Sequence, residues 1–412
     1  MKRLNVTIAF LLLVVIVFAQ QVQWRGPQRD GKFQETGLLK KWPDAGPELL
    51  LKVEGIGKGY SSVVATDKYI FATGMKDSLD YLSCITTDGK IKWQVSYGHS
   101  WVKSFPDTRS TPTIEGDRVY IISGVGELVC LNVEDGVIRW KVNVDKDYKS
   151  DWHTWGVSES PLIVDDKVIC TPGGKTTSVV AFDKMTGKLI WQSESVGGQR
   201  SYVSPIIYNY KQLRFILAAT ATTLIALEPT TGKVAWTFKY LEEGKWDDPG
   251  LIWATSPVVK GRDIFLSMGY DYHNVMLEMN EEGTSVSEKW SNLILDNHHG
   301  GLIELDGFIY GSNWQSNSKG KWVCMDWNSG EVKYETEWMT KGSLVYADGL
   351  LYVIEEKSGT VALVNPNPKS FDVVSSFKLQ GGNGPFWSHP FIANGKMYLR
   401  HGEVLFVYNI KA

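Results

Sequence analysis

Tryptophan, arginine and histidine recur together in short polar segments along this chain of 412 residues. Aromatic rings can stack on the flat face of a ligand, while guanidinium, imidazole and carboxylate groups can hydrogen-bond its polar edge. These residue types therefore indicate a ligand-binding surface if the fold brings the segments together. The candidate site residues are Arg109, Trp152, His153, Trp155, Glu159, Arg200, Tyr202, Trp253, His299, Trp387 and His389.

Metal binding and nucleophilic catalysis have less support than ligand binding. His298 and His299 are adjacent, so on a strand they would point to opposite faces, and no third zinc ligand follows at a recognisable spacing. Asp247, Asp248 and Asp271 would bind calcium only if the fold brought further oxygen atoms to them. The sequence has neither a Gly-x-Ser-x-Gly elbow nor a cysteine with a histidine nearby. We therefore predict no metal site and no catalytic nucleophile.

The composition excludes one class of partner and indicates a class of fold. Apolar residues make up 43% of the chain, charged residues make up 22%, and the formal net charge is −3. Such a chain lacks the clustered lysine and arginine that bind nucleic acid backbones. Its 40 glycines and 17 tryptophans indicate many short strands joined by tight turns.

Two segments are near copies of each other and reveal an internal repeat. Residues 181–191 read AFDKMTGKLIW, and residues 226–236 read ALEPTTGKVAW. Each predicts a strand, a Thr-Gly turn in which glycine adopts a positive φ, and a second strand that ends in tryptophan. Weaker copies span residues 84–93, 130–140, 276–290, 324–334 and 362–377. A Ser-Pro or Thr-Pro element followed by apolar residues precedes several of these copies.

The repeating unit is four short strands, A to D, at the roughly 40–50-residue period of β-propeller blades. Aromatic residues that end strand D mark seven blades: Trp93, Trp140, Trp191, Trp236, Trp290, Tyr334 and Phe377. After Trp387 the chain supplies only three more strands. We expect residues 48–53 to add the missing outer strand, because closing the ring removes the free sheet edges that invite aggregation.

The predicted fold is all-β, an eight-bladed β-propeller of four-stranded antiparallel blades that is closed by the N-terminal strand. Seven blades are the alternative if the weakest copy is not a blade. In such a ring strand A lines the central channel, and the D-to-A loops gather around one end of it. The candidate site residues lie in these loops, where a rigid scaffold commonly presents functional side chains. The alternative is that these aromatic and histidine side chains only plug the channel, which is the commoner role of any single one.

The four cysteines fit the repeat better than they fit a disulfide framework. Cys84, Cys130 and Cys324 fall at the strand-C position that Ala181 and Ala226 hold in other blades. This position suits a small buried side chain, and free cysteine behaves as one. Equivalent positions in separate blades lie too far apart for a disulfide bond. We predict no disulfide.

Residues 1–19 differ in composition from the rest of the chain. Lys2 and Arg3 form a positive start, residues 8–18 are uninterrupted apolar residues, and Ala19 is a small residue at a plausible cleavage site. The apolar run is shorter than the ~20 residues of a membrane span. We predict a signal peptide over 1–19, a periplasmic or secreted protein, and no stable membrane span after cleavage. An uncleaved anchor is the alternative.

The repeats, with their A-x-D-x-x-T-G-K-x-x-W pattern, resemble the quinoprotein-type or PQQ-like propeller repeat. This repeat occurs in pyrroloquinoline-quinone (PQQ) alcohol dehydrogenases and in the outer-membrane assembly lipoprotein BamB. The segments WRGPQRDG at 24–31 and GKGYSS at 57–62 look like exported PQQ-like propeller proteins, some of them labelled polyvinyl-alcohol-dehydrogenase-like. The resemblance covers essentially all of residues 20–412 and implies a single PQQ-like propeller domain there.

The resemblance does not imply a single activity, because the same repeat serves both enzymes and scaffolds. The chain lacks the adjacent cysteine pair of quinoprotein dehydrogenases, the Cys-x-x-Cys-His haem motif and the lipidated cysteine of BamB. We therefore predict a non-catalytic scaffold that binds a protein segment, a glycan or a small molecule at the D-to-A loop face, or a peptide along an outer blade edge.

The alternative function is a PQQ-dependent dehydrogenase that oxidises an alcohol or sugar with PQQ and Ca²⁺. In that case Arg109 or Arg200 would pair with the quinone carboxylates, and a tryptophan would form the stacking floor.

Overall fold

The computed structural model describes residues 21–151, 154–241 and 252–412. Within these ranges the chain forms eight sheets, each built around four antiparallel strands, which are consecutive in sequence in seven of the sheets. The sheets are the blades of the predicted eight-bladed propeller, so the fold class and blade number are confirmed. The short helix α1 (Val144–Tyr148) follows the outer strand of the second blade.

Two strands precede the blades: β1 (Lys32–Phe33) and β2 (Glu48–Val53). The first blade contains β3 (Val64–Ala65), β4 (Tyr69–Lys76), β5 (Leu79–Thr86) and β6 (Ile91–His99). The second contains β7 (Thr113–Glu115), β8 (Arg118–Ile122), β9 (Glu127–Asn132) and β10 (Ile138–Asn143). The third contains β11 (Leu162–Val164), β12 (Lys167–Cys170), β13 (Val180–Asp183) and β14 (Leu189–Gln192).

The fourth blade contains β15 (Ile206–Tyr210), β16 (Leu213–Ala219), β17 (Thr223–Leu227) and β18 (Val234–Lys239). The fifth contains β19 (Val258–Lys260), β20 (Asp263–Leu266), β21 (Asn274–Met279) and β22 (Val286–Asn292). The sixth contains β23 (Ile303–Leu305), β24 (Phe308–Ser312), β25 (Trp322–Asp326) and β26 (Val332–Thr336).

The seventh blade contains β27 (Gly342–Ala347), β28 (Leu350–Glu355), β29 (Thr360–Asn365) and β30 (Asp372–Lys378). The eighth contains β31 (Phe391–Ala393), β32 (Lys396–His401) and β33 (Val404–Asn409). Its fourth, outer strand is β2, which pairs antiparallel with β33 so that Leu49 lies opposite Tyr408. The predicted closure by the N-terminal strand is therefore confirmed.

The Thr-Gly turns owe their sequence to contacts between blades. Trp140 Nε1 donates a 3.0 Å hydrogen bond to the carbonyl of Lys184, at the start of the next blade's turn. A Cβ atom on Gly187, in that turn, would lie 2.8 Å from the Trp140 ring. Gly232 covers Trp191 in the same way, and both glycines have φ near +70°. Only glycine allows the turn to lie flat on the preceding blade's tryptophan.

The small residues of strand C face these aromatic anchors. Cys84 lies opposite Trp93 and Cys130 lies opposite Trp140, as Ala181 does opposite Trp191. All four cysteines of the chain are buried free thiols.

The seventh blade departs from the predicted pattern. There Ala362 lies opposite Ser376 rather than Phe377, which lies opposite Val361. Phe377 instead packs edge-on against Trp42, with a centroid distance of 5.3 Å. Phe377 nevertheless lies buried on the outer strand β30, as predicted, and only its register relative to Ala362 differs by one residue.

The Ser-Pro and Thr-Pro elements connect neighbouring blades around the channel. The backbone N–H of Ser62 donates to Thr111 Oγ1, and that of Thr111 donates to Ser160 Oγ, both at 3.1 Å. The N–H of Ser160 donates in turn to Ser204 Oγ at 3.0 Å. Each hydroxyl therefore satisfies a buried backbone group of the preceding blade at the start of strand A. No helix in the described parts of the chain is long and apolar enough to cross a membrane.

Candidate functional site

The central channel contains the chain's own N-terminal segment, residues 21–33, which we call the plug. Near its start, Val22 pairs with Ile114 on strand A of the second blade. At its end, β1 pairs in parallel with β27, so that Phe33 lies beside Ala347. The plug thus crosses the channel from the second blade to the seventh and contacts blades on both sides.

Arg29 fastens the plug to three neighbouring blades. Its Nη1 donates to the carbonyl oxygens of Ser160 and Pro205, each at 3.0 Å. Its Nη2 donates to the carbonyl of Pro161 and, at 3.3 Å, to Thr113 Oγ1. Burial lowers the pKa of Arg29 to about 9. The guanidinium therefore donates to several backbone carbonyls at the start of strands A. These hydrogen bonds offset the cost of removing the charged group from water.

Arg25 makes the corresponding contacts on the opposite side of the channel. Its Nη2 donates to the Leu302 carbonyl at 2.8 Å, and its Nη1 donates to the Leu344 carbonyl at 3.1 Å. Nη1 also lies 2.9 Å from Nδ1 of His389, whose Nε2 lies 2.8 Å from the carbonyl of His299. A guanidinium can only donate, so Nδ1 accepts and Nε2 carries the proton. His389 is thus a neutral imidazole, and burial lowers its pKa well below the usual value.

A cavity of about 200 Å³ remains beside the plug, against the inner strands of the fourth, fifth and sixth blades. Its polar lining includes Arg25, Arg29, Asp30, Asn209, His299 and Glu304. Glu304 is held by Lys32 of the plug at 3.2 Å and by Lys260 at 2.6 Å. The charged groups around this cavity are thus largely engaged with one another or with the backbone.

Above the plug, the D-to-A loops form an aromatic surface that we call the mouth cluster. Its members are Tyr60, Phe105, Trp155, Tyr202, His299 and Trp387. Trp387 lies at the centre of the contacts, with ring centroids 4.8 Å from Tyr60, 5.9 Å from Phe105 and 5.4 Å from His299. Trp155 lies 6.3 Å from Phe105 and 5.9 Å from Tyr202. The structure therefore brings four of the predicted residues, Trp155, Tyr202, His299 and Trp387, into one connected surface.

Arg109 joins this surface through its guanidinium. The group lies 5.7 Å from the centroid of the Tyr60 ring, within range of a cation–π contact. Nη1 donates to the Asp107 carbonyl at 3.1 Å, and Nη2 donates to the Phe105 carbonyl. Among the described residues, no carboxylate oxygen lies within 4.0 Å of this guanidinium. Its positive charge therefore lies against two neutral carbonyl acceptors and the ring of Tyr60.

An ion pair lies at the edge of the mouth cluster, beneath His299. Lys341 Nζ is 2.5 Å from Glu356 Oε1, and His299 Nε2 is 3.7 Å from Glu356 Oε2. Burial, assisted by the charge of Lys341, lowers the pKa of His299 to about 3. Burial also raises the pKa of Glu356, although Lys341 opposes that rise. His299 is thus neutral at physiological pH and offers the mouth an uncharged polar ring.

Two other predicted residues form a buried charge cluster away from the mouth surface. Arg200 pairs with Asp145 and lies 3.8 Å from Glu159. Glu159 accepts the backbone N–H of Thr171 at 2.9 and 3.1 Å with its two oxygens. All three charged residues are almost fully buried. Arg200 and Glu159 therefore connect blades and loops beneath the mouth, where a ligand at the mouth cluster would not contact them.

The remaining predicted residues have different positions. Trp253 has no exposed surface, and its Nε1 donates to the Thr255 carbonyl at 2.9 Å, so it belongs to the core between the fourth and fifth blades. His389 lies below the mouth, in contact with the plug. Trp152 and His153 lie outside the described residues.

The most important residues missed from sequence were Arg25 and Arg29. The segment 24–31 carries part of the family resemblance, but the sequence analysis did not predict that it lies inside the channel. Two arginines among prolines and glycines are also ordinary on a surface loop. A chemical signal did exist, because the starts of strands A expose backbone carbonyls that require buried donors. Phe105 and Tyr60 were also missed, although both lie in D-to-A loops.

A family model described as outer membrane protein assembly factor BamB matches residues 79–318. No curated protein of similar sequence was found. BamB from Moraxella catarrhalis has a similar structure, with a TM-score of 0.63 and 18% identity, covering 88% of this chain and 99% of that one. The quinohemoprotein alcohol dehydrogenase from Comamonas testosteroni has a TM-score of 0.68 and 11% identity, covering 93% of this chain and 79% of that one.

At such identities the structural likeness shows the fold alone. A designed protein, Ika8, also has a similar structure, with a TM-score of 0.57 and 10% identity, covering 89% of this chain and 100% of that one. Fold likeness therefore does not decide between a scaffold and an enzyme. The family model is a different kind of finding, because it matches the sequence. Since it spans more than half of the chain, this protein belongs to the family described as outer membrane protein assembly factor BamB.

Proposed function

We propose that this protein is a non-catalytic scaffold that binds a polypeptide segment at the mouth cluster. Membership of a family described as an assembly factor supports a polypeptide as the ligand. The observation that carries the proposal is the division of the channel into two layers. Charged groups in the lower layer are engaged by the plug, while the accessible upper layer is aromatic.

The lower layer is built for rigidity. Arg25 and Arg29 donate to backbone carbonyls of five residues that belong to four different blades or their loops. The two guanidinium groups therefore already have hydrogen-bond partners in the absence of a ligand, as is typical of buried structural hydrogen bonds. The upper layer has the opposite character, because Trp155 and Trp387 are only half-buried and Phe105 is 56% exposed. Aromatic side chains of this kind dominate the binding energy of many protein–protein contacts.

The channel residues do not fit the alternative, a quinone held with calcium. Arg200, a predicted partner of the PQQ carboxylates, is paired with Asp145, and the two arginines inside the channel, Arg25 and Arg29, are occupied by carbonyl oxygens. The cavity of about 200 Å³ is smaller than the ~300–1,000 Å³ of common cofactor pockets. Calcium needs about six to eight oxygen ligands, and here two buried cations would repel it. No redox step is therefore assigned to the channel residues.

The proposal includes export to the periplasm or the cell exterior. Residues 1–19 have the composition of a signal peptide. The described contacts of the plug include one from Gln21, whose side chain donates to Glu115 at 3.0 Å. Cleavage before Gln20 would therefore leave all of these contacts in place.

A binding titration tests the proposal. Residues 20–412 are titrated into fluorescein-labelled, reduced and carboxymethylated lactalbumin, which remains unfolded, and fluorescence anisotropy reports binding. We expect Trp387→Ala to weaken binding at least about tenfold, as truncation of a central interface tryptophan does. Trp338→Ala is the matched control, because Trp338 is also half-buried but packs against Trp322 and Phe371 on the rim.

Two results would contradict the proposal. The first is equal binding by the two tryptophan variants, which would place the polypeptide elsewhere on the molecule. The second is stoichiometric binding of PQQ with Ca²⁺ that supports alcohol-dependent dye reduction, since this would establish the enzyme instead.

A further inference from the structure

The loop over the mouth has an unusual backbone at two positions. Phe105 has a φ of +40° and Asp107 has a φ of +97°, both in the region that favours glycine. For a bulky residue such as phenylalanine this conformation is a genuine outlier, and such strain costs about 1–3 kcal/mol. Asp107 Oδ1 is also buried without a hydrogen-bond partner in the described chain. The loop is therefore held over the mouth at a cost.

Two contacts of Phe105 tie the loop to the mouth, in addition to the hydrogen bond from Ser104 Oγ to the Thr154 carbonyl at 2.7 Å. The ring of Phe105 leans on Trp387 and Trp155, at centroid distances of 5.9 and 6.3 Å. The backbone carbonyl of the same residue accepts a hydrogen bond from Arg109 Nη2. The mouth thus offers two aromatic rings and a cationic donor at a spacing that one aromatic residue spans with its ring and its own carbonyl.

We propose that the mouth binds the C-terminal aromatic residue of a polypeptide, and that Phe105 occupies this position as a removable internal mimic. The ring of the ligand would replace the Phe105 ring between Trp387 and Trp155. Its terminal carboxylate would replace the Phe105 carbonyl on Arg109. The inference rests on the proposed function and specifies which part of a polypeptide is recognised.

Charge explains how the ligand would displace the loop. A carboxylate brings a full negative charge to the guanidinium and can accept two parallel N–H bonds from it, whereas a neutral carbonyl oxygen brings only a dipole. Arg109 has no carboxylate within 4.0 Å among the described residues, so its charge is available to such a group. Displacement would also release the strained backbone and the buried oxygen of Asp107. An anionic chain end therefore gains more at this position than the loop does.

The geometry of the rings argues against two other ligand classes. A sugar prefers a flat aromatic platform, whereas the rings here are tilted, with interplanar angles of 48° for Phe105–Trp387 and 81° for Phe105–Trp155. Tilted and edge-on rings instead suit a third aromatic ring. A cationic ligand would meet the guanidinium of Arg109, which already lies over the Tyr60 ring.

Defined peptides test the inference. The probes are a hexapeptide of glycine and serine that ends in phenylalanine with a free carboxylate, the same peptide with a C-terminal amide, and the same peptide ending in alanine. Binding to residues 20–412 is measured by isothermal titration calorimetry. We expect the free acid to bind about tenfold more tightly than the amide, and the alanine peptide to bind more weakly still. Arg109→Gln should remove the preference for the acid.

The decisive variant is Phe105→Ala, for which the proposal predicts a gain. If the Phe105 ring lies against Trp387 and Trp155 most of the time, removing this ring should tighten binding of the free-acid hexapeptide by about three- to tenfold. Val102→Ala is the matched control, because Val102 is equally exposed, at 54%, on the same loop. The melting temperature of each variant reports whether it is folded. Weaker or unchanged binding by a folded Phe105→Ala protein would overturn the mimic.

The other outcomes separate this inference from the proposed function. Equal affinity for acid and amide would refute recognition of a chain end by Arg109. Equal affinity for N-acetylphenylalanine and the free-acid hexapeptide would show that the ligand is a small aromatic acid. If no peptide binds while unfolded lactalbumin still binds in a Trp387-dependent manner, this inference fails and the proposed function stands. If the lactalbumin arm also fails, both are refuted.

Discussion

The plug makes a quantitative prediction at Arg29. Arg29→Ala removes the donors that serve the carbonyls of Ser160, Pro161 and Pro205 in the lining of the channel. These carbonyls belong to the loops that begin strands A of the third and fourth blades. The substitution should therefore loosen the plug and the two neighbouring blades together.

The expected loss follows from the number of acceptors. A buried polar group that loses its partner costs about 1–3 kcal/mol. For three such groups we expect the free energy of unfolding to fall by about 3–6 kcal/mol. The upper value is reduced because water that enters the space can hydrogen-bond some of the carbonyls. Unfolding entropy of about 2.1 cal/mol/K per residue gives roughly 0.8 kcal/mol/K for this chain. The melting temperature should accordingly fall by about 4–7 °C.

Scanning calorimetry of residues 20–412 measures this fall directly. Gln28→Ala is the control, because Gln28 is the exposed neighbour of Arg29 in the plug, and it should change the melting temperature by less than about 1 °C. Arg29→Lys should fall between the two, since an ammonium group keeps the charge but cannot reach acceptors in a planar fork. A fall below about 1 °C for Arg29→Ala would refute the view that the plug is a structural anchor.

Three further predictions concern separate parts of the fold. His389→Ala should lower the melting temperature measured by calorimetry by about 3 °C, because it removes the contacts to Arg25 and to the His299 carbonyl. An unchanged melting temperature would mean that the imidazole is not needed for stability. Burial raises the pKa of Asp296 to about 7, so its stabilising contribution is complete below pH ~4 and is lost as the pH rises through 7. The stability of the wild type relative to Asp296→Asn should therefore be higher at pH 4.5 than at pH 8 in urea titrations, and a flat difference would contradict the raised pKa. Gly232→Ala should lower the free energy of unfolding in urea by about 2–5 kcal/mol, because its Cβ would meet the Trp191 ring. Gly197→Ala is the control, with a φ of +76° and open space around the Cβ, and it should lower the same quantity by only about 1–2 kcal/mol. Equal losses would show that the ring contact is unimportant.

The blades were predictable because their signals are local. A Thr-Gly turn, a small residue on strand C and a tryptophan on strand D all fall within one copy of about eleven residues, as in 181–191. Counting strands then required residues 48–53 to complete the last blade, and β2 does so by pairing with β33. In the seventh blade Phe377 marks the outer strand as predicted, but the pairing register differs by one residue, so that Ser376 rather than Phe377 lies opposite Ala362.

The mouth was only partly predictable. The D-to-A loops could be located from the repeat, so the approximate position of Trp155, Tyr202, His299 and Trp387 followed. Whether a loop side chain points outwards or inwards depends on contacts with other blades. Arg200, Glu159 and Trp253 point inwards because Asp145, Thr171 and Tyr240, which belong to other strands or loops, hold them there.

The sequence by itself determined the propeller fold, the strand that closes the ring and most of the residues that pack one blade on the next, because each of these depends on spacing within or between repeats, and it favoured eight blades over seven. Only the tertiary structure decided what the channel contains and which side chains are accessible at its mouth. Arg25, Arg29 and Phe105 lie in non-repeating segments, and their partners are backbone carbonyls and rings that are distant along the chain or carry no sequence signal. Ring closure brings those partners to within hydrogen-bonding or stacking distance, and this proximity turns ordinary loop residues into a plug and a cover for the mouth.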